Sequence, residues 1–327
     1  MIGGFPMYPF EHDAMRTDKL RAQGGKFEGS WRVLLAFVVM LLAAPAMALA
    51  QDQPASPDVN AHPSLWHIKG EQGEVYLLGA VHVLPSNVHW RTPPIVSALS
   101  RSDVFVFEVP EDQAAMTELQ DLIQAHGYLP TGQSLRAQLQ PKDQADYDAA
   151  VTASGLPAAL VDRERPWLAG IQLMFAQMTK MKFDAANGVD STLMAEAAKN
   201  KKQMRYLETI AQQFALLAPA DQGLEMQEFE SGLKDLRDVE DDIKPMVDAW
   251  DIGDQAALDK LINGDLDDYP QARKLLLDDR NRRWVPKIEA MLKQKHIFFI
   301  TVGAGHLTGP VGLPALLRAD GYKVAGP

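Results

Sequence analysis

EVYLLGAVH (residues 74–82) and HIFFITVGAGH (residues 296–306) are two versions of one pattern: an apolar run, a glycine, and a histidine three positions further on. Val75–Leu78 is apolar at consecutive positions, and Ile297–Val302 nearly so, which suits strands buried on both faces of a sheet. Each run is followed by a loop with proline and then a helical pattern, with Ile95, Val96 and Leu99 after the first and Leu313, Leu316 and Leu317 after the second. A strand, a tight loop and a helix form the repeating unit of an α/β sheet.

Working outward, SLWHIK and EVYLLGAVH flank the turn GEQG and read as a β-hairpin. VFVFE (104–108) is a second buried strand, ending on Glu108, and QMRYLE (203–208) a short one ending on Glu208. A last short strand is expected at Tyr322–Val324. Residues 112–126, 141–153, 167–182 and 189–200 carry apolar residues at three- and four-residue intervals, and nearly everything from 209 to 295 reads as helix. The expectation is a single α/β domain over 64–327: a mixed sheet from N- and C-terminal strands, with a large central helical region, including an insertion at about 209–295, packed on it or capping it.

In an open α/β sheet, ligands bind where loops diverge beyond the carboxyl ends of the strands. Gly79 and Gly303 allow a tight turn or a close approach directly after a strand. His82 and His306 then point along that edge, where Glu108 and Glu208 also fall. Two imidazoles and a carboxylate (His82, Glu108 and His306) could hold a divalent metal with a position open for water. The same residues could also work without a metal, a histidine acting as general base and a glutamate orienting it. No His-Glu-x-x-His helix is present, which excludes a zincin. In DDRNRRWVPKI (278–288), Arg280 and Arg283 share a helix face and Asn281 is turned away from it. The plain reading is a solvated basic patch; the functional one is a guanidinium that clamps a substrate carboxylate or an oxyanion. His62, His67, His89, His126 and His296 lack the glycine context and read as surface or packing residues.

The 327 residues include 32 Lys and Arg against 43 Asp and Glu, a net charge of −11 with the acidic residues scattered, so the chain has no electrostatic footprint for nucleic acid. It has no cysteine. That excludes disulfides, a thiol nucleophile and a cysteine-ligated metal. VLLAFVVMLLAAPAMALA (33–50) is apolar, follows Arg16, Lys19, Arg21, Lys26 and Arg32, and ends on Ala48-Leu49-Ala50. It reads as a signal peptide over 1–50, with Met1 or Met15 as the start, cleaved to leave no membrane span. The polar, proline-bearing stretch 51–63 then reads as a linker, and the mature protein as exported and periplasmic.

GAVH and GAGH, FVFEVP, ERPWLAGIQL, NGVDSTLMAEAAKNKKQMRYLETIAQQFALL, RNRRW and VGAGHLTGPVGLPALLRADGYKV together resemble the TraB/GumN family over about residues 64–325. That family is related to the Tiki proteases and, more distantly, to erythromycin esterases and ChaN-type haem-binding proteins. The resemblance implies a cleft holding both motif histidines and a glutamate, with His82, Glu108 and His306 as metal ligands and Glu208, Arg280 and Asn281 as further motif positions that assist catalysis. It implies hydrolysis of peptide or small ester substrates with Mn²⁺, Co²⁺ or Zn²⁺, or with a histidine base. The alternative is a binding protein that sequesters a peptide signal or haem without turnover. Ala80 stands where a threonine is usual in the family's Gly-Thr-x-His form, which removes a hydroxyl beside the site.

Overall fold

Eight strands are described: β1 (Val59–Asn60), β2 (Leu65–Lys69), β3 (Glu74–Ala80), β4 (Val88–His89), β5 (Val104–Phe107), β6 (Gln203–Tyr206), β7 (Ile297–Gly303) and β8 (Val324–Ala325). Six of them form one mixed sheet in the order β6-β5-β7-β3-β2-β8. The computed structural model describes residues 58–327 except 219–221, 235, 237–238 and 268–269. The expected leader and residues 51–57 of the expected linker lie outside the described residues.

The two strands that carry the histidine motifs are neighbours at the centre of the sheet. β3 and β7 run parallel, with Leu77 opposite Ile300 and Ala80 opposite Gly303. β5 lies parallel on the other side of β7, and β6 parallel to β5. Four strands therefore deliver their carboxyl ends to one edge. The hairpin partner β2 is antiparallel to β3 with Leu65 opposite Leu78, and β8 closes the far side on β2. A chain that is apolar at consecutive positions places alternate side chains on opposite faces. Tyr76, Leu78, Phe105, Phe107 and Phe299 accordingly enter the larger core, and Val75, Leu77, Val104, Val106, Phe298 and Ile300 the smaller one.

The helices that position the site are α1 (Pro93–Arg101), α2 (Gln113–His126), α3 (Pro166–Lys180), α4 (Val189–Lys199), α5 (Ile210–Leu217), α6 (Val239–Asp251), α7 (Asp279–Leu292) and α8 (Leu313–Ala319). Their starts are written locally. Pro93 and Pro94 open α1, where a missing N–H costs nothing. The Asp112 side chain accepts from Ala115 N–H at the start of α2. Thr209 and Gln212 make a reciprocal capping box at α5. Helices α1 to α6 pack on the larger core, whereas Trp284, Val285 and Ile288 of α7 and Leu313 and Leu317 of α8 pack on the smaller one. Short π-helical turns at Asp259–Asn263 and Lys274–Asp278 interrupt the helical run, the second leading directly into α7.

Three expectations are corrected. Residues 58–63 are part of the fold: β1 pairs in parallel with β4, and Ala61 is buried. The ordered chain therefore begins before Ser64. The last strand is Val324–Ala325, because only these residues reach β2. Strand β6 stops at Tyr206, and Glu208 sits two residues beyond it.

Candidate active site

The carboxyl edge collects the expected residues. The β5–β6 ladder continues past both strand ends, with Leu207 N–H donating to Phe107 O and Glu208 N–H to Glu108 O at 2.7 Å. Glu108 and Glu208 are thereby held side by side. β7 ends at Gly303 and the chain turns through a 3-10 segment, Ala304–Leu307, that carries His306. Both glycines are needed for close approach. A Cβ on Gly79 would lie 3.1 Å from Ala304 Cα, and one on Gly303 would lie 3.1 Å from His82 Nε2 and 3.5 Å from Glu108 Oε1. The two motifs therefore interlock, each glycine making room for the other strand's loop.

Arg280, 1 % exposed, is the hub. Its Nη2 donates to Glu108 Oε2 at 2.5 Å, its Nε to Glu208 Oε2 at 3.0 Å, and its Nη1 to His306 Nε2 at 3.0 Å. Its plane also packs over the Trp284 ring. A planar fork with five donors is suited to joining two carboxylates and an imidazole at once. Glu108 receives a second donor at Oε1, the Gly303 N–H at 2.7 Å. The other nitrogen of His306, Nδ1, donates to Asn281 Oδ1 at 2.7 Å, and Asn281 Nδ2 donates to Val311 O. Arg280 and Asn281 are therefore both buried in the site. The expectation that Asn281 turns away fails because the 304–311 loop wraps around the first turn of α7 and meets adjacent helix positions. The plain reading of the arginine run as a solvated patch holds only for its outer part. Arg283 is exposed and reaches Glu208 at 3.4 Å.

His82, in the loop after β3, is buried and its Nδ1 lies 2.6 Å from Asp190 Oδ2. Burial opposes the charged ring, but the adjacent Asp190 carboxylate, with Glu108 and Glu111 further off, outweighs it and lifts the pKa to about 8. His306 goes the other way: burial, then the charges of Arg280 and His82, hold it well below the ordinary value. One ring is thus a cation near neutrality and the other neutral, with its proton on Nδ1 toward Asn281. Burial, reinforced by Asp190 and opposed by His82, raises Glu111 to about 7.

The metal set expected from the sequence, His82, Glu108 and His306, does gather, but its lone pairs point elsewhere. His306 Nε2 accepts from Arg280, and Glu108 gives one oxygen to Arg280 and the other to Gly303 N–H. The cation at the centre of this arrangement is the guanidinium. Among the described residues no three His, Asp or Glu side chains are grouped to hold a metal ion. As arranged, these residues do not fit a shared divalent ion, nor does His306 present a nitrogen to haem iron.

Sequence reasoning missed Asp190 and Glu111. Asp190 lies in the first turn of α4, where an acidic residue after glycine looks like an ordinary helix start, and Glu111 sits in the loop that follows Glu108. The fold and its edge define an α/β protein with an imidazole, carboxylate and guanidinium cluster at the carboxyl ends of parallel strands. The chain belongs to the TraB/PrgY/gumN family, whose model matches residues 64–325. It has no significant match among curated proteins or among solved structures.

Proposed function

We propose that the protein hydrolyses peptide or ester bonds, with His82 as the group that transfers the proton. One observation carries this reading: the other polar groups of the hub are bonded inward, whereas no hydrogen bond to a described residue uses His82 Nε2, which lies against Gly303, 3.1 Å from where a Cβ there would sit, with Glu108 Oε1 3.5 Å from the same point. An imidazole with a pKa near the working pH is suited to giving a proton to a leaving group and taking one from water. Glu108 lies beside that ring, fixed by Arg280 and the Gly303 N–H, so the polar environment is in place before substrate arrives. The buried Arg280 orients both glutamates and His306 rather than meeting substrate.

The test is hydrolysis of activated esters and of a mixed peptide library by purified protein, compared with His82→Ala. Turnover that is lost in the variant supports the reading. No turnover above buffer, or equal turnover in His82→Ala, refutes it. The reading extends to location: residues 33–50 direct export, and the exported protein begins at Gln51, which N-terminal sequencing of a periplasmic extract checks. Among the described residues no helix is long and apolar enough to cross a membrane.

A further inference from the structure

Among the described residues one segment holds His82 Nδ1, and that segment meets the loop 81–82 at three points. Val189 N–H donates to Val81 O at 3.1 Å. Gly188 lies so close to the His82 carbonyl that a Cβ there would sit 2.1 Å from the oxygen. Asp190 Oδ2 then meets His82 Nδ1 at 2.6 Å. The three contacts fall on consecutive residues, so the start of α4 is docked on the loop 81–82 as a unit. No packing requirement explains the carboxylate. Asp190 is 2 % exposed, and its other oxygen, Oδ1, has no hydrogen-bond partner among the described residues, an arrangement that costs stability and so points to a role for the carboxylate. A carboxylate in the first turn of a helix sits in the favourable positive potential of its amino end.

We propose that Asp190 is a positioning residue: it holds the proton of His82 on Nδ1 and turns Nε2 toward the space in front of Gly303. This rests on the reading of His82 as the ring that transfers the proton. A ring gripped at Nδ1 by an acceptor can present only one tautomer when neutral, with the Nε2 lone pair outward. A ring without that grip would be free to flip, placing its donor where an acceptor is required. Glycine at 188 belongs to the same device, because any side chain there would lift Asp190 away from the ring. The segment Asn187-Gly188-Val189-Asp190 is therefore the missing third part of a site whose other two parts are the glycine-histidine motifs.

The experiment uses the full chain with ¹⁵N-labelled histidine and reads the imidazole nitrogens of His82, assigned by their loss in His82→Gln. In the wild type Nδ1 carries a proton in a strong hydrogen bond. In Asp190→Asn that signature is lost, and hydrolysis falls roughly ten-thousandfold in kcat with KM little changed, the scale of a misplaced tautomer. Asp190→Glu restores part of both. A His82 spectrum unchanged in Asp190→Asn overturns the proposal, whatever the activity. Should Asp190→Asn fail to fold, the wild-type spectrum decides alone: no hydrogen-bonded Nδ1 proton overturns it. If the signature responds as expected while the wild type hydrolyses nothing, the proposed function fails and the positioning role stands.

Discussion

Replacing Arg280 with methionine keeps the length and most of the volume of the side chain but deletes the one charge that two carboxylates share. Glu108 is 2 % exposed and Glu208 7 %, so water cannot take over the lost partner. Glu108 retains the Gly303 N–H and Gln213 Nε2 at 3.4 Å, and among the described residues Glu208 retains the exposed Arg283 at 3.4 Å. Removing one member of a buried ion pair destabilises by about 3–5 kcal/mol, because the other charge is left unpaired. For a chain of this size that lowers Tm by roughly 5–9 °C. Arg283→Met touches the same Glu208 from solvent and is expected to lose about 1 kcal/mol or less. The double variant Arg280→Met/Glu208→Gln should be more stable than the two single losses sum to, because it removes one stranded charge together with its partner. Thermal and denaturant unfolding of the wild type and of the four variants, Glu208→Gln included, at one pH measures this. An Arg280→Met loss below about 1 kcal/mol, or one no larger than that of Arg283→Met, would refute the assignment of Arg280 as the electrostatic centre of the edge.

Raising the pH should remove part of the stability through His82. The folded ring holds its proton up to about 8 against an ordinary 6.5, so the contribution is complete below 6.5 and is lost as pH rises through 8. The amount is about 2 kcal/mol, read as the difference between pH-stability curves of wild type and His82→Gln; parallel curves would contradict it. Gly188→Ala puts a methyl 2.1 Å from the His82 carbonyl, so a loss of 2 kcal/mol or more is expected, on the order of an overpacked core, together with the loss of the His82 Nδ1 signature. Gly303→Ala sets a methyl 3.1 Å from His82 Nε2 and should depress hydrolysis far more than stability, as turnover and Tm on the same sample would show. Dialysis against EDTA should leave both Tm and hydrolysis unchanged, since the guanidinium occupies the place of a cation. A Tm or activity that falls on chelation and returns with Mn²⁺, Co²⁺ or Zn²⁺ would contradict this.

The sheet was legible because its central strands are apolar on both faces and end on glycine, a pattern that survives without any knowledge of neighbours. Val75–Leu78 and Ile297–Val302 read as buried, and they pair side by side. His82, His306, Glu108 and Glu208 were legible for the same reason, each falling just beyond a strand. Asp190 was not, because its partner lies 108 positions away and helix starts commonly carry an acidic residue. The burial of Arg280 could not be read from the chain, because it depends on two glutamates brought from distant strands, while Asp278, Asp279, Arg282 and Arg283 around it are charged and at least partly exposed. The pairing of β1 with β4 was hidden by its length, two residues being too few to show a period.

The place of β7 in the sheet ties the site to the order in which the chain is made. β3 and β5 are synthesised early, yet they are not neighbours; the strand between them arrives last of the three and brings Gly303 and His306 with it. Until it does, the place between β3 and β5 is an unfilled slot whose edges have no partner, and His82 and Glu108 lack Gly303 between them. An unfinished chain consequently has an incomplete site and is also at its most adhesive. Filling the slot ends both conditions in one step, so the event that silences the sticky edges is the same event that completes the reactive one.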